Sequence, residues 1–194
     1  MKHAGALWFV TGGARSGKSR FAERMAAETR REVVYIATME PLDEELVERV
    51  AAHRASRPAS WTTLEAPLDP AGALGGAAPA ACAIIDCLSL WVSNRLGSLG
   101  ESPSPAAGAG LERELKAEVA RLIEAARARE GPTIVVTNEV GGGLVPAYPL
   151  GRVYRDLLGR ANQRVAGAAD RAWLLVAGRP LELPPAEPPT ASRG

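Results

Sequence analysis

The stretch FVTGGARSGKSRFAE, Phe9 to Glu23, gathers groups that handle phosphate: three glycines, a lysine and two serines directly after an apolar run. Gly12, Gly17, Lys18 and Ser19 fit the spacing G-x-x-x-x-G-K-[ST], with Gly13, Ala14, Arg15 and Ser16 between the glycines. Glycines there let successive backbone N–H groups turn inward around an anion, and a helix starting at Lys18 adds the positive end of its dipole. Lys18 then reaches the β- and γ-phosphates and the Ser19 hydroxyl holds Mg²⁺. Asp86, which closes the AIID run, is the natural carboxylate for the same ion. The loop implies a nucleoside triphosphate with Mg²⁺ but does not separate a kinase from a GTPase switch or a motor. TNEV, Thr137 to Val140, is the nearest approach to the Asn-Lys-x-Asp guanine signature of switch GTPases, and it lacks the Lys and the Asp. One short domain without added machinery argues against a motor.

The second group with chemistry is a histidine. His3 sits at the N-terminus and is set aside. His53, in ERVAAHRASRPASW, has Arg49 four residues before it, Arg57 four after and Arg54 adjacent. On a helix, Arg49 and Arg57 share its face. Nearby cations lower an imidazole's pKa, which favours the neutral, nucleophilic form, and guanidinium forks clamp phosphate. Such an imidazole can attack an α-phosphate and carry the nucleotidyl group as a phosphoramidate. A helix-end histidine beside solvated arginines fits the same residues.

The elements that must position these groups alternate. Leu7–Thr11, Val33–Thr38, a short stretch around Trp61, Cys82–Cys87, Thr133–Thr137 and Ala172–Ala177 read as strands. Lys18–Thr29, Leu42–Ala55, Leu88–Leu96, Leu111–Arg129 and Pro149–Asp170 read as helices. Strands that are apolar throughout predict an α/β fold, a mostly parallel sheet with helices on both faces, and the Gly12–Ser19 motif between a strand and a helix makes the expected class P-loop NTPase (RecA-like). Ligands then bind at the carboxyl ends of the strands, where Gly12–Ser19, Thr38–Glu40, Asp86 and Asn138–Glu139 fall. The run GSLGESPSPAAGAG, Gly97–Gly110, reads as a mobile loop. Five of the fifteen prolines lie from Pro180 onward, so residues 1–180 are expected to form one domain and 181–194 an extended tail. Cys82 and Cys87, five positions apart on one strand, should face opposite ways and act as small buried hydrophobes.

Bulk properties narrow the setting. The 194 residues carry 23 basic and 22 acidic side chains, a net charge of +1, which offers no general attraction to nucleic acid or anionic membrane. The longest uncharged run is broken by Pro and Gly and is unsuited to a membrane span of ~20 apolar residues. The N-terminus lacks the long apolar centre of a signal peptide, so a cytoplasmic protein is expected.

VTGGARSGKSRFAE, VVYIAT, HRASRPASW, IIDCLSLWVSN, VVTNEVGGGLVP and GRVYRDLLGRANQRVAGAADRAWLLVAG occur in that order. Together they resemble the bifunctional adenosylcobinamide kinase/adenosylcobinamide-phosphate guanylyltransferase family of cobalamin biosynthesis. The resemblance spans nearly the whole chain apart from the Gly97–Gly110 run and the Pro-rich end. It implies that ATP or GTP phosphorylates the aminopropanol hydroxyl of adenosylcobinamide. GTP then guanylylates a histidine, which aligns with His53, and GMP passes to adenosylcobinamide phosphate to give adenosylcobinamide-GDP. It also implies nucleotide contacts at Gly12–Ser19, at Thr38, Met39 and Glu40, at Arg54, Ala55, Ser56 and Arg57, at Glu65 and at Asp86. Assembly as a homotrimer is a further implication. Glu65 suits guanine, whose N1–H and amino group donate to a carboxylate. Some relatives carry Glu at the Asp86 position, a longer arm toward the metal.

Asn138 and Glu139, beside Gly141–Gly143, read either as contacts to the corrinoid side chain or γ-phosphate or as a polar strand cap. Arg152, Arg155 and Arg160 read as a solvated helix face, and Trp61, Trp91 and Trp173 as core. No kinase general base is evident, and phosphoryl transfer to an alcohol needs mainly positioning and charge neutralisation. Two other functions fit parts of the pattern: a single-function small-molecule kinase in which His53 is structural, and a nucleotide-gated binding protein.

Overall fold

The computed structural model describes residues 5–40 and 57–185. The predicted helix Leu42–Ala55, with His53, Arg54 and Ala55, and Ser56 after it, lie outside them. Seven strands form one sheet: β1 (Leu7–Gly12), β2 (Val33–Ala37), β3 (Thr62–Glu65), β4 (Cys82–Asp86), β5 (Thr133–Val136), β6 (Arg171–Val176) and β7 (Arg179–Leu183). Their spatial order is β3-β2-β4-β5-β1-β6-β7, parallel from β3 through β6, with β7 antiparallel at the edge. The α/β P-loop architecture expected of the sequence is the one observed.

The central strands are apolar at every position because both faces are covered. Phe9, Ile36, Ile85 and Val135 project to one side and pack with Leu74, Trp91, Leu115 and Leu158. Those partners come from α2 (Pro70–Gly76), α3 (Leu88–Leu96), α4 (Pro105–Arg127) and α5 (Pro149–Ala168). Val10, Tyr35, Ile84 and Val136 project to the other side, against Ala22, Met25 and Ala26 of α1 (Lys18–Glu28). Helix α4 shows how a sequence chooses a face: Leu111, Leu115, Val119, Leu122 and Ala126 recur every three or four residues and are its buried positions.

Four expectations are corrected. Helix α4 begins six residues before Leu111, inside the run read as a loop. Ser104 caps it by accepting the Ala107 N–H at 3.2 Å, and Pro105 at the first helical position has no N–H to leave unsatisfied. Helix α2 was not anticipated; Asp69 caps it in the same way through Gly72 N, at 2.9 Å, again with proline first. The end read as a tail from Pro180 contributes β7, which accommodates proline because it is an edge strand. Cys82 and Cys87 are buried and free as expected, but both join the cluster on the α1 face. β4 ends at Asp86, so Cys87 escapes the strand's alternation.

At the end of the sheet away from the phosphate turn, Arg129 ties elements together. Its guanidinium donates to the carbonyls of Leu74 (2.9 Å), Ala77 (3.3 Å), Ala78 (2.9 Å) and Ala81 (2.9 Å). No helix among the described residues is long and apolar enough to cross a membrane.

Candidate active site

The phosphate turn connects β1 to α1. Gly12 has no room for a side chain: a Cβ there would lie 2.6 Å from the carbonyl oxygen of Leu175 and 2.6 Å from Ser16 Oγ. Gly17, the residue before α1, has φ of +92°, a left-handed conformation that glycine adopts without steric cost. Arg15 also has positive φ, at 56°. The loop is pinned on both sides, since Glu139 N donates to Gly12 O at 3.1 Å and Gly178 N to Ser16 O at 2.9 Å. Ser16 Oγ is buried without a partner among the described residues. Above the loop lies a cleft of about 600 Å³ lined by Gly13–Ser16, Glu139, Gly142, Gly143 and the end of β6.

Lys18 is buried at the first turn of α1, with its ammonium on Gly13 O at 3.1 Å. Burial pushes its pKa below the usual lysine value, and the neighbouring charges of Cys87 and Asp86 oppose that shift. The ammonium is therefore held curled against its own loop in a desolvated place, beside the carboxylate expected to share its ligand. Ser19 follows on the same turn and is half-buried.

Asp86 ends β4, two strands from β1 across β5, a separation of ~10 Å from the usual strand spacing. Its Oδ2 accepts the Tyr35 hydroxyl at 2.5 Å. Burial, then the Asp86 charge, raises the Tyr35 pKa far above the ordinary phenol value, so the phenol stays a donor. The backbone beside Asp86 is fixed by Thr38: its N–H donates to Asp86 O at 3.1 Å, and its hydroxyl donates to Cys87 O (2.7 Å) while accepting Cys87 N–H (2.8 Å). The Asp86–Cys87 peptide is cis. Asn94 of α3 donates to Thr38 O at 2.7 Å and to Pro67 O at 3.0 Å, which holds the ends of β2 and β3 together.

Among the predicted contacts, the structure brings Gly12–Ser19, Thr38 and Asp86 to one edge of the sheet. Met39 and Glu40 follow Thr38 there. Glu65 ends β3 at the same edge, in register with Ala37, but four strand spacings from β1, ~19 Å. Arg57, the one predicted contact of the His53 segment among the described residues, places its guanidinium 3.3 Å from the centre of the Tyr35 ring, with Nε 3.9 Å from Glu23 Oε1. The sequence reading overlooked Tyr35, because a tyrosine inside an apolar strand looks like core. The available signal is that a buried phenol needs a hydrogen-bond partner, and the strand beside it ends in a carboxylate.

Asp86 and Ser19 supply hard oxygen donors, as Mg²⁺ requires. Among the described residues no group of three or more His, Cys, Asp or Glu could hold a metal. An ion bound through one or two protein oxygens and the substrate's phosphates needs no such cage, so the donor set fits nucleotide-borne Mg²⁺.

Beside Asp86, a hydrogen-bonded row runs along the sheet's edge. Cys87 Sγ and Ser89 Oγ are 2.9 Å apart, Asn138 Nδ2 donates to Ser89 Oγ at 3.0 Å, and Asn162 Nδ2 donates to Asn138 O at 3.1 Å. Burial lifts the Cys87 thiol to about 11, so it takes no part as a thiolate near neutral pH. The Glu139 carboxylate accepts Gly141 N–H at 2.7 Å. The arginines of α5 are engaged within the protein: Arg152 donates to Pro146 O (3.0 Å) and Ala147 O (2.7 Å), Arg155 to Asp156, and Arg160 to Glu112 of α4.

Comparison with known proteins identifies the family. Residues 8–183 match the family model described as cobinamide kinase / cobinamide phosphate guanyltransferase. The chain is 42% identical over 173 residues to the bifunctional adenosylcobalamin biosynthesis protein CobU of Salmonella typhimurium, covering 87% of this chain and 94% of that protein. It is 45% identical over 175 residues to the bifunctional protein CobP of Pseudomonas aeruginosa, covering 90% and 95%. Among solved structures, the RadB recombinase aligns with a TM-score of 0.47 at 16% identity, over 88% of this chain and 74% of that one.

Proposed function

The chain belongs to the cobinamide kinase / cobinamide phosphate guanyltransferase family and is a bifunctional enzyme, and we propose that both of its transfers use the single phosphate cradle of Gly12–Ser19. In the first, the aminopropanol hydroxyl of adenosylcobinamide attacks the γ-phosphorus of ATP or GTP. The bond to the β-phosphate bridging oxygen breaks and the nucleoside diphosphate leaves. In the second, a neutral His53 imidazole nitrogen attacks the α-phosphorus of GTP and pyrophosphate leaves. The phosphate oxygen of adenosylcobinamide phosphate then attacks the same phosphorus, the P–N bond breaks, and adenosylcobinamide-GDP is released with the imidazole restored.

The observation that supports this reading is the phosphate turn itself, with buried Lys18 held on Gly13 O and Asp86 ending a strand at the same edge of the sheet. Lys18 supplies positive charge to the phosphates, and the turn's backbone N–H groups orient them. Ser19 and Asp86 would hold Mg²⁺, which neutralises charge on the phosphates and on the departing group. Glu65 suits the guanine end of the substrate, since ~19 Å from β1 is a distance for the base and not the phosphates. Thr38, Met39 and Glu40 fall between. Arg57 lies four positions after His53, a span of at most ~14 Å, and it stacks on the tyrosine that holds Asp86. The same reading includes a homotrimer, which sedimentation of the purified protein would test.

The deciding experiment is an intact-mass measurement after GTP and Mg²⁺. One added GMP is expected, lost in His53→Asn, while that variant still phosphorylates cobinamide. An adduct that persists in His53→Asn removes the role given to His53. Corrinoid phosphorylation with no adduct in the unaltered protein leaves a single-function kinase.

A further inference from the structure

A second cleft, of about 550 Å³, opens beside the phosphate turn between α3, the short helical turn Gly97–Leu99 and the start of α5. Its lining includes Ser89, Ser93 and Leu96 on one wall, Asn138 at the end of β5, and Leu150 and Tyr154 on the other wall. We propose that this cleft receives the acceptor alcohol: the aminopropanol arm of the corrinoid enters here, with its hydroxyl directed by Asn138 toward the γ-phosphate. The proposal rests on the kinase reading above and assigns residues to its second substrate.

Three observations support it. The first is charge. Among the described residues the lining holds one acidic residue, Glu101, and no lysine or arginine. A lining whose described residues carry no cation is a poor host for a triphosphate and a suitable one for an uncharged arm bearing amides and a hydroxyl. The leucines take the arm's methylene and methyl groups, and the Ser93 and Tyr148 hydroxyls are available to its amides.

The second is position. Asn138 lines this cleft and Glu139, the next residue, lines the cleft over the phosphate turn. Glu139 is joined to that turn by its N–H on Gly12 O at 3.1 Å. The two clefts therefore meet across the end of β5, one peptide apart. Ser89 lies three residues beyond Asp86, so the acceptor cleft also adjoins the carboxylate expected to hold the metal.

The third is an unused hydrogen-bond acceptor. Asn138 spends its Nδ2 on Ser89 Oγ and its backbone carbonyl on Asn162. Its Oδ1 is buried and has no partner among the described residues. A buried acceptor without a donor is costly by ~1–3 kcal/mol, so it is rarely left that way without a purpose. A small rotation of this half-buried side chain turns Oδ1 into the cleft, where an arriving alcohol supplies the missing O–H. An amide oxygen orients that hydroxyl without removing its proton, as a loose phosphoryl-transfer transition state requires. The hydroxyl oxygen bonds to phosphorus, the bond to the diphosphate breaks, and the proton leaves to solvent or to the transferred phosphate.

The test compares Ser93→Trp, at an exposed position of α3, with Asn138→Ala. Steady-state phosphorylation of cobinamide is measured with each, and folding is checked by melting curves and by titration with a fluorescent GTP analogue. The filled cleft of Ser93→Trp should raise the corrinoid KM at least about tenfold. Asn138→Ala should lower kcat by about tenfold or more with a smaller change in KM. Nucleotide affinity should stay near that of the unaltered protein in both. Unchanged corrinoid kinetics in both folded variants would overturn the assignment, and so would a loss confined to nucleotide affinity. An unaltered protein that makes no cobinamide phosphate would instead overturn the kinase reading itself.

Discussion

Replacing Asp86 with asparagine keeps the side chain's shape and removes one charge, so it separates the electrostatic role of the carboxylate from its packing. In the folded protein Oδ2 accepts the Tyr35 hydroxyl at 2.5 Å, and the negative charge favours the ammonium form of Lys18 against the effect of burial. An amide oxygen still accepts from Tyr35, but as a neutral partner, a loss of about 1 kcal/mol. In a domain of this size that lowers Tm by about 2–4 °C. Function should fall further. Weakening one of the few protein oxygens on a nucleotide-borne Mg²⁺ by about 1.5–3 kcal/mol raises the half-saturating Mg²⁺ concentration about 10–100-fold. The pH profile should move too. Lys18 holds phosphate only when protonated, so binding is present below its folded pKa and lost as pH rises through it. Removing the Asp86 charge lowers that pKa further and moves the loss to lower pH. Titrations of a fluorescent GTP analogue across Mg²⁺ concentration and pH read both effects. A folded Asp86→Asn protein with unchanged Mg²⁺ dependence and an unchanged alkaline limb would refute the place given to this carboxylate.

Lys18→Met should abolish the rise in Tm that GTP produces while leaving the nucleotide-free protein within ~1 kcal/mol of its original stability, because it removes a charge that burial disfavours. The same desolvation means that the unfolded chain holds the Lys18 proton more tightly; stability of the unaltered protein should climb as pH approaches 10.5 from below, and urea titrations should show that contribution missing in Lys18→Met. Thr38→Val strands both the N–H and the carbonyl of Cys87 and should cost about 2–4 kcal/mol in urea unfolding, with Thr38→Ser restoring most of it. Arg129→Met removes the guanidinium from four backbone carbonyls, of which those of Leu74 and Ala78 keep the N–H groups of Ala77 and Ala81, and a loss of about 3–5 kcal/mol is expected from the same measurement. Gly12→Ala should prevent measurable nucleotide binding, since the added methyl meets the immovable carbonyl of Leu175 at 2.6 Å.

What could be read in advance was what local chemistry determines. The phosphate turn was legible because a lysine and paired glycines at fixed spacing after an apolar run have few other uses. The central strands were legible because burial on both faces removes polar residues from every position. Helix α2 escaped because PAGALGG carries few strong helix formers; its stability comes from the Asp69 cap and from burying Leu74. The start of α4 escaped for a related reason. Alanine and glycine in PAAGAG suggest a loop until Ser104 and Pro105 are recognised as a cap and a first turn. Strand β7 was hidden by the prolines around it, which disfavour a central strand but not an edge. In the site, the contacts within a few residues of one another were found, whereas Tyr35 to Asp86 and Asn138 to Ser89 were not. Each joins positions about fifty residues apart, and only the pairing of strands brings them together.

That pairing also bears on how one cradle can serve two reactions. Tyr35 faces the α1 side of the sheet, and Arg57 stacks on it there, only four residues after His53 in the chain. Tyr154 belongs to α5 on the opposite side, and its hydroxyl donates to Ser89 O at 3.3 Å, at the wall of the acceptor cleft. Asp86 stands between the two, at the end of a strand with one covering layer on each face. On the proposed reading, the alcohol enters from the α5 side, opposite the α1 side on which Arg57 lies. The alcohol then reaches the triphosphate without crossing the α1 side of the sheet. A phosphate bound by Lys18 and the loop's N–H groups is held through its oxygens, which leaves its phosphorus atoms open to attack from either direction. The difference between the two chemistries then lies in which phosphorus, α or γ, meets which nucleophile. One triphosphate site with two approaches is sufficient for both transfers.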